Sequence, residues 1–170
     1  MNRKFALLAV TTLALSISIG LAQTSSVSMR TLDGDSFSLE AQRGKVVVLA
    51  FGATWVPLSA KELPALQKFA DKYNGRNVEF YWVSINSLKQ GGRSFAADTD
   101  LKAFATKHGL KMPILRDPDQ AAYKSMGVES LPTVLIIDRA GKISHRQTGF
   151  DPDQADGYGE AAQALDKLLK

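Results

Sequence analysis

The residues with most chemical potential lie between Phe51 and Leu66, Phe-Gly-Ala-Thr-Trp-Val-Pro-Leu-Ser-Ala-Lys-Glu-Leu-Pro-Ala-Leu. Ser59 is the candidate nucleophile of this stretch. A serine attacks only when a partnered base takes its proton. The chain has two histidines, His108 and His145, and neither is near residue 59 in sequence. Ser59 has a simpler use, because Ser59-Ala-Lys-Glu62 fits a capping box in which the serine accepts an otherwise unpaired helix N–H. Pro57 suits the first helical position equally well, and these two readings place the cap at different residues. Cysteine is absent from all 170 residues. That excludes a disulfide framework, a thiolate nucleophile, a thiol redox centre and a Cys-ligated metal. Two isolated histidines offer no ligand spacing, so no metal and no cofactor is expected. Trp55 could serve as a ligand platform, whereas Trp82 lies inside an apolar run and reads as core. Met29, Met112 and Met126 are scattered and read as core filler.

The elements around this segment alternate. Lys45 to Phe51 is a continuous β-branched run, as in a strand buried on both faces. After Pro57, Leu63, Leu66, Phe69, Ala70 and Tyr73 recur at helical spacing, and Asn74-Gly75 ends the helix. Pro64 falls inside it and is expected to kink it, since proline removes a hydrogen bond. Val78 to Ile85 returns to strand, and Ser87 to Asp98, with Gly91-Gly92, reads as a surface loop. Thr99 opens a second helix that closes at His108-Gly109. Met112 to Leu115 is a short apolar stretch, and Asp117-Pro118-Asp119 caps a helix reaching about Met126. Thr133 to Ile137 is a buried strand, Asp138 to Gly141 a hairpin turn, and Lys142 to Gln147 its return strand. The last helix runs from about Gln154 to Leu169. Upstream, Ser25 to Ser38 alternates around Asp33-Gly34-Asp35, a turn between two short strands. The order predicts an α/β fold: a central mixed sheet with helices on both faces, an N-terminal β-hairpin, and an antiparallel edge from the closing hairpin.

Hydrophobic residues make up 45% and charged residues 22% of the chain, the balance of one domain able to bury a core. Residues 1–22 are built differently. Arg3 and Lys4 precede an uncharged stretch from Phe5 to Leu21, and Gly20 and Ala22 place small residues at −3 and −1 before Gln23. This is the three-part pattern of a secretory signal peptide. A retained anchor is the alternative, disfavoured by Thr11, Thr12, Ser16 and Ser18 within a stretch barely long enough to span a bilayer. The expected mature domain is 23–170, periplasmic or secreted, with no integral membrane span after cleavage. Basic residues number 21 against 17 acidic, and without Arg3 and Lys4 the excess falls to +2, no electrostatic footprint for nucleic acid. Export without disulfides means the apolar core must supply the stability.

The Phe51–Leu66 segment is similar to the thioredoxin-like family, and most to its exported TlpA/ResA-type (AhpC/TSA-redoxin-like) branch. That branch carries Trp-Cys-Pro-x-Cys-x-x-Glu-x-Pro-x-Leu here. Trp55, Pro57, Glu62, Pro64 and Leu66 match in register, and the two redox cysteines fall on Val56 and Ser59. Gly127-Val-Glu-Ser-Leu-Pro132-Thr133, followed by Leu135-Ile-Ile-Asp138-Arg-Ala-Gly141-Lys-Ile143, resembles the family's second block, in which the proline is cis and faces the active site. The resemblance runs from Ser26 to Leu169. It implies a thioredoxin-like fold, a cis Leu131–Pro132 bond, and Ser130 and Leu131 backbone exposed beside Val56. In the family the helix N-terminus stabilises a thiolate and a second cysteine resolves the mixed disulfide; valine and serine do neither.

The expectation is therefore a redox-inactive exported module. It would bind another exported protein or an extended peptide through Trp55, Val56, Pro57, Ser59, Leu131 and Pro132. A thiol-disulfide oxidoreductase or peroxidase role is the family-type alternative. Copper delivery is a third reading, because Phe51-Gly-Ala-Thr54 resembles the start of Sco-type copper chaperones. There the cysteine places are taken by Val56 and Ala60. Zero cysteine disfavours both alternatives.

Overall fold

The computed structural model describes residues 27–154 and 157–170. The signal peptide expected over 1–22 lies outside the described residues. The first strands, β1 (Ser28–Thr31) and β2 (Ser36–Ser38), form the N-terminal hairpin. Then follow β3 (Val46–Gly52), α1 (Pro57–Lys72), β4 (Val78–Ser84), α2 (Asp98–Lys107), β5 (Ile114–Arg116), α3 (Ala121–Ser125), β6 (Thr133–Ile137), β7 (Ile143–Thr148) and α4 (Gly159–Leu168). One seven-stranded sheet has the order β2-β1-β5-β4-β3-β6-β7. Strands β3, β4 and β5 run parallel. The β1, β6 and β7 strands join antiparallel, which makes the sheet mixed, as the element order predicts.

Every residue of β3 is buried, because both faces of this inner strand are covered. Val46, Val48 and Ala50 face one layer with Phe80 and Trp82. Against them pack Leu63, Leu66 and Phe69 of α1, Leu101 and Ala105 of α2, and Ala161 and Leu165 of α4. Val47, Leu49 and Phe51 face the other layer, with Leu135, Ile137, Met29, Phe37, and Ala122 and Met126 at α3. This period-two split is what a strand's alternating side chains impose. Trp82 is fully buried beside Gly52, where a Cβ would stand 2.6 Å from the indole Nε1. The glycine is what lets the indole lie against β3.

Several boundaries move. Met112–Leu115 is counted in the sequence only as an apolar stretch, yet Ile114–Arg116 is a full member of the sheet. Three residues are too few to show a period, and the strand is defined by its neighbours. The last helix begins at Gly159 rather than Gln154. The return strand is Ile143–Thr148, one residue later than read. Asp117 does cap α3: its carboxylate oxygens accept the Ala122 and Tyr123 N–H groups at 3.1 and 2.7 Å. Helix α1 runs unbroken through Pro64, which lies on its exposed side.

Candidate functional site

Strand β3 hands the chain to α1 through Ala53–Val56. Val56, extended at φ −96°, is the N-cap, and Pro57 takes the first helical position. The proline reading of the helix start therefore holds and the capping box does not. Proline fits there because the N–H it lacks has no helical partner at that position. Ser59 is fully buried. Its hydroxyl accepts the Ala53 N–H at 3.3 Å, and its own N–H donates to the Val56 carbonyl at 3.0 Å. It pins the turn from inside, so it supports the surface and does not form part of it.

Glu62 does not reach back to the helix start. Its side chain is 1% exposed and points into the core, where its Oε1 accepts the Tyr158 hydroxyl at 2.8 Å and its Oε2 has no partner. Burial pushes this carboxyl up to about 8, against the small downward pull of the Tyr158 hydrogen bond. A buried carboxyl with one unpaired oxygen is held neutral at acidic and near-neutral pH. Desolvation and the neighbouring carboxylate push the Tyr158 phenol far above its usual value. Tyr158, 96 residues from Glu62, also stacks on Phe69 with ring centroids 4.9 Å apart. Because α1 starts at Pro57, Glu62 lies beyond its first turn, which carries no acid.

The second block lies alongside. Phe51 pairs with Thr133 across β3 and β6, so the Leu131–Pro132 turn and the Ala53–Val56 turn leave the same end of this strand pair. The Leu131–Pro132 bond is cis. The Thr133 hydroxyl donates to the Ser130 carbonyl at 2.9 Å, and the Pro132 carbonyl accepts the Gly149 N–H at 2.8 Å. Of the backbone expected to be open, Ser130 C=O is thus already used. The Leu131 N–H and C=O make no hydrogen bond among the described residues. Pro132 is itself buried. Val56 and Leu131 are half-buried, and both pack on the same core layer. Trp55 is 40% exposed, and Pro57 beside it is also open to solvent. Of the six residues read as the binding surface, Trp55, Val56, Pro57 and Leu131 are exposed or half-buried.

The sequence reading missed the support behind this surface. Asn86, buried just past β4, bonds the turn twice: its Oδ1 accepts the Thr54 N–H at 3.1 Å and its Nδ2 donates to Thr54 Oγ1 at 2.7 Å. Ser84 Oγ also donates to Asn86 Oδ1, at 3.0 Å. Arg116, on the missed strand β5, is buried and donates to the carbonyls of Asn86 and Ala96 at 2.9 Å each and to Asp98 at 2.6 Å. Burial opposes ionisation of Asp98, yet hydrogen bonds from Arg116 and Arg30 hold its carboxyl below the usual range. One signal was visible: a polar residue, Asn86, at the end of the apolar Val78–Ile85 run. No sequence signal marks Tyr158 or Arg116.

The AhpC/TSA family pattern matches residues 22–146. The chain is 30% identical over 128 residues to the thiol-disulfide oxidoreductase ResA of Bacillus thuringiensis (strain Al Hakam), covering 75% of this chain and 69% of that protein. The thiol:disulfide interchange protein DsbE of Chlorobium tepidum superposes with a TM-score of 0.70 at 24% identity, over 86% of this chain and 95% of the other. The exposed lipoprotein thioredoxin Etrx1 of Streptococcus pneumoniae strain TIGR4 does so with a TM-score of 0.63 at 26% identity, over 85% of this chain and all of that one.

Proposed function

We propose that this chain, which belongs to the AhpC/TSA family of thioredoxin-like proteins, is an exported binding module that performs no thiol chemistry. The observation that carries this reading is the surface itself. An exposed Trp55 and the Leu131 N–H and C=O, which make no hydrogen bond among the described residues, sit in the two turns at one end of the β3–β6 pair, where the family resemblance puts two sulfurs and this chain has Val56 and Ser59. Free backbone groups accept an extended segment by main-chain pairing, and an exposed tryptophan supplies the apolar anchor. Nothing in the turn can replace the thiolate. Valine has no reactive atom, and the Ser59 hydroxyl is sealed and engaged with Ala53. The copper reading fails on the same chemistry, because Val56 and Ala60 offer no donor.

Export rests on the n-region, apolar stretch and small residues of 1–22, and it accords with the family relative described as an exposed lipoprotein. This chain has no cysteine for lipidation, so the reading is release at Gln23 into the periplasm or beyond. The test pairs two assays on the exported chain. Capture from the envelope fraction is expected to retain a partner that Trp55→Ala loses, and insulin reduction is expected to stay at blank. A Trp55-independent capture pattern, or reduction above blank, overturns the reading.

A further inference from the structure

A segment outside the two family blocks is tied to the Trp55 turn through Asn86. Residues 87–96 connect β4 to α2, and buried groups hold this segment at both ends. Asn86 ties its start to Thr54, next to Trp55, and also donates to the Ser94 carbonyl at 3.3 Å. Arg116 holds the Asn86 and Ala96 carbonyls, and Ser87 pairs with Phe95. A loop fixed in this way presents its outer side chains in defined places. Leu88 is 48% exposed. Trp55, Leu88 and Ile143 are the large exposed hydrophobics among the described residues; Asn86, two residues before Leu88, is hydrogen-bonded to Thr54, the residue before Trp55. Lys89 and Arg93 are exposed on the same loop, as is Lys61 on α1. None of the three has an ion-pair partner among the described residues. From Ile85 to Ala97 there is no acidic residue.

We propose that the 87–96 loop and the Trp55 turn together form one docking surface for an acidic segment that carries an apolar side chain. The inference rests on the binding reading above and names its partner class. An apolar residue of the segment would sit between Trp55 and Leu88, and flanking carboxylates would meet Lys61, Lys89 and Arg93. Charges at the rim of an interface govern partner choice and encounter rate more than raw affinity. Exposed apolar surface rimmed by polar residues marks interaction sites.

The test is binding of fluorescently labelled, end-blocked peptides to the full chain, read by anisotropy. One peptide is Asp-Glu-Leu-Asp-Glu, one Lys-Arg-Leu-Lys-Arg and one Ser-Gln-Leu-Ser-Gln. The acidic peptide is expected to bind about tenfold or more tighter than the basic one, with a preference that weakens as salt rises. The double variant Lys89→Glu/Arg93→Glu is expected to abolish or invert that preference, and Leu88→Asp to weaken all three peptides. These side chains are exposed, so the fold tolerates the changes. Equal binding of acidic and basic peptides, still lost in Trp55→Ala, overturns the acidic class and leaves the binding reading standing. An acidic preference unchanged by the double variant overturns the role of the loop. Failure of all three peptides to bind overturns both.

Discussion

Val56 and Ser59 hold the places where the family resemblance puts sulfur, and the turn between them is intact: Pro57 starts the helix and Ser59 N–H bonds the Val56 carbonyl at 3.0 Å. If only the sulfurs are missing, Val56→Cys with Ser59→Cys forms a reversible disulfide, because residues one helical turn apart can meet its Cα spacing. The double variant is expected to reduce insulin above the parent and above both single variants. A double variant that stays reduced in oxidising buffer contradicts this. Losing the Ser59–Ala53 hydrogen bond costs about 1 kcal/mol, which the assay tolerates. Glu62 gives an independent check. Its native pKa of about 8 lies above the usual 4.5, so the folded state holds the proton more tightly than the unfolded chain. The sign follows: this contribution is whole below the unfolded value and is lost as pH rises through about 8. At about 1.4 kcal/mol per unit, a few kcal/mol are at stake. The melting temperature is expected to fall from pH 5 to pH 9 and to fall much less in Glu62→Gln, which keeps an acceptor for Tyr158. Parallel pH profiles contradict the buried neutral carboxyl.

At the level of elements, β3, α1, β4 and β6 were legible because each has a strong period or a long β-branched run. Strand β5 was not, since three residues show no period and its place is set by β1 and β4 on either side. The helix start was legible only as two alternatives, which a steric preference of proline resolves and which local hydrogen-bonding capacity alone does not. The support behind Trp55 was invisible because it couples residues 30 or more apart, Thr54 with Asn86 and Asn86 with Arg116. This coupling predicts a local consequence. Arg116→Leu leaves the Asn86 and Ala96 carbonyls unpaired beside the core. It is expected to cost about 1–3 kcal/mol per unpaired carbonyl in urea unfolding and to remove hydrogen-exchange protection from 87–96 ahead of the sheet. Uniform loss of protection across sheet and loop contradicts a role specific to the loop.

For the whole molecule, sequence and structure agree on one thioredoxin-like layer sandwich, since a family resemblance in two separated blocks fixes which strands neighbour each other. The site was legible as a location. Which residues face solvent was not, because Ser59 and Pro132 lie in the motif yet are buried by the turn that the motif builds. Export predicts that N-terminal sequencing of the released protein returns Gln23; Met1 in the membrane fraction contradicts cleavage. The central claim, a binding face without redox chemistry, is met most directly by photocrosslinking in the exporting cell. Trp55 is replaced by p-benzoylphenylalanine, which keeps an aromatic ring, with exposed Arg139 as the control position. A discrete adduct from position 55, absent from position 139 and unchanged by reductant, is expected. No adduct at 55 above the control, or one that reductant abolishes, contradicts the claim.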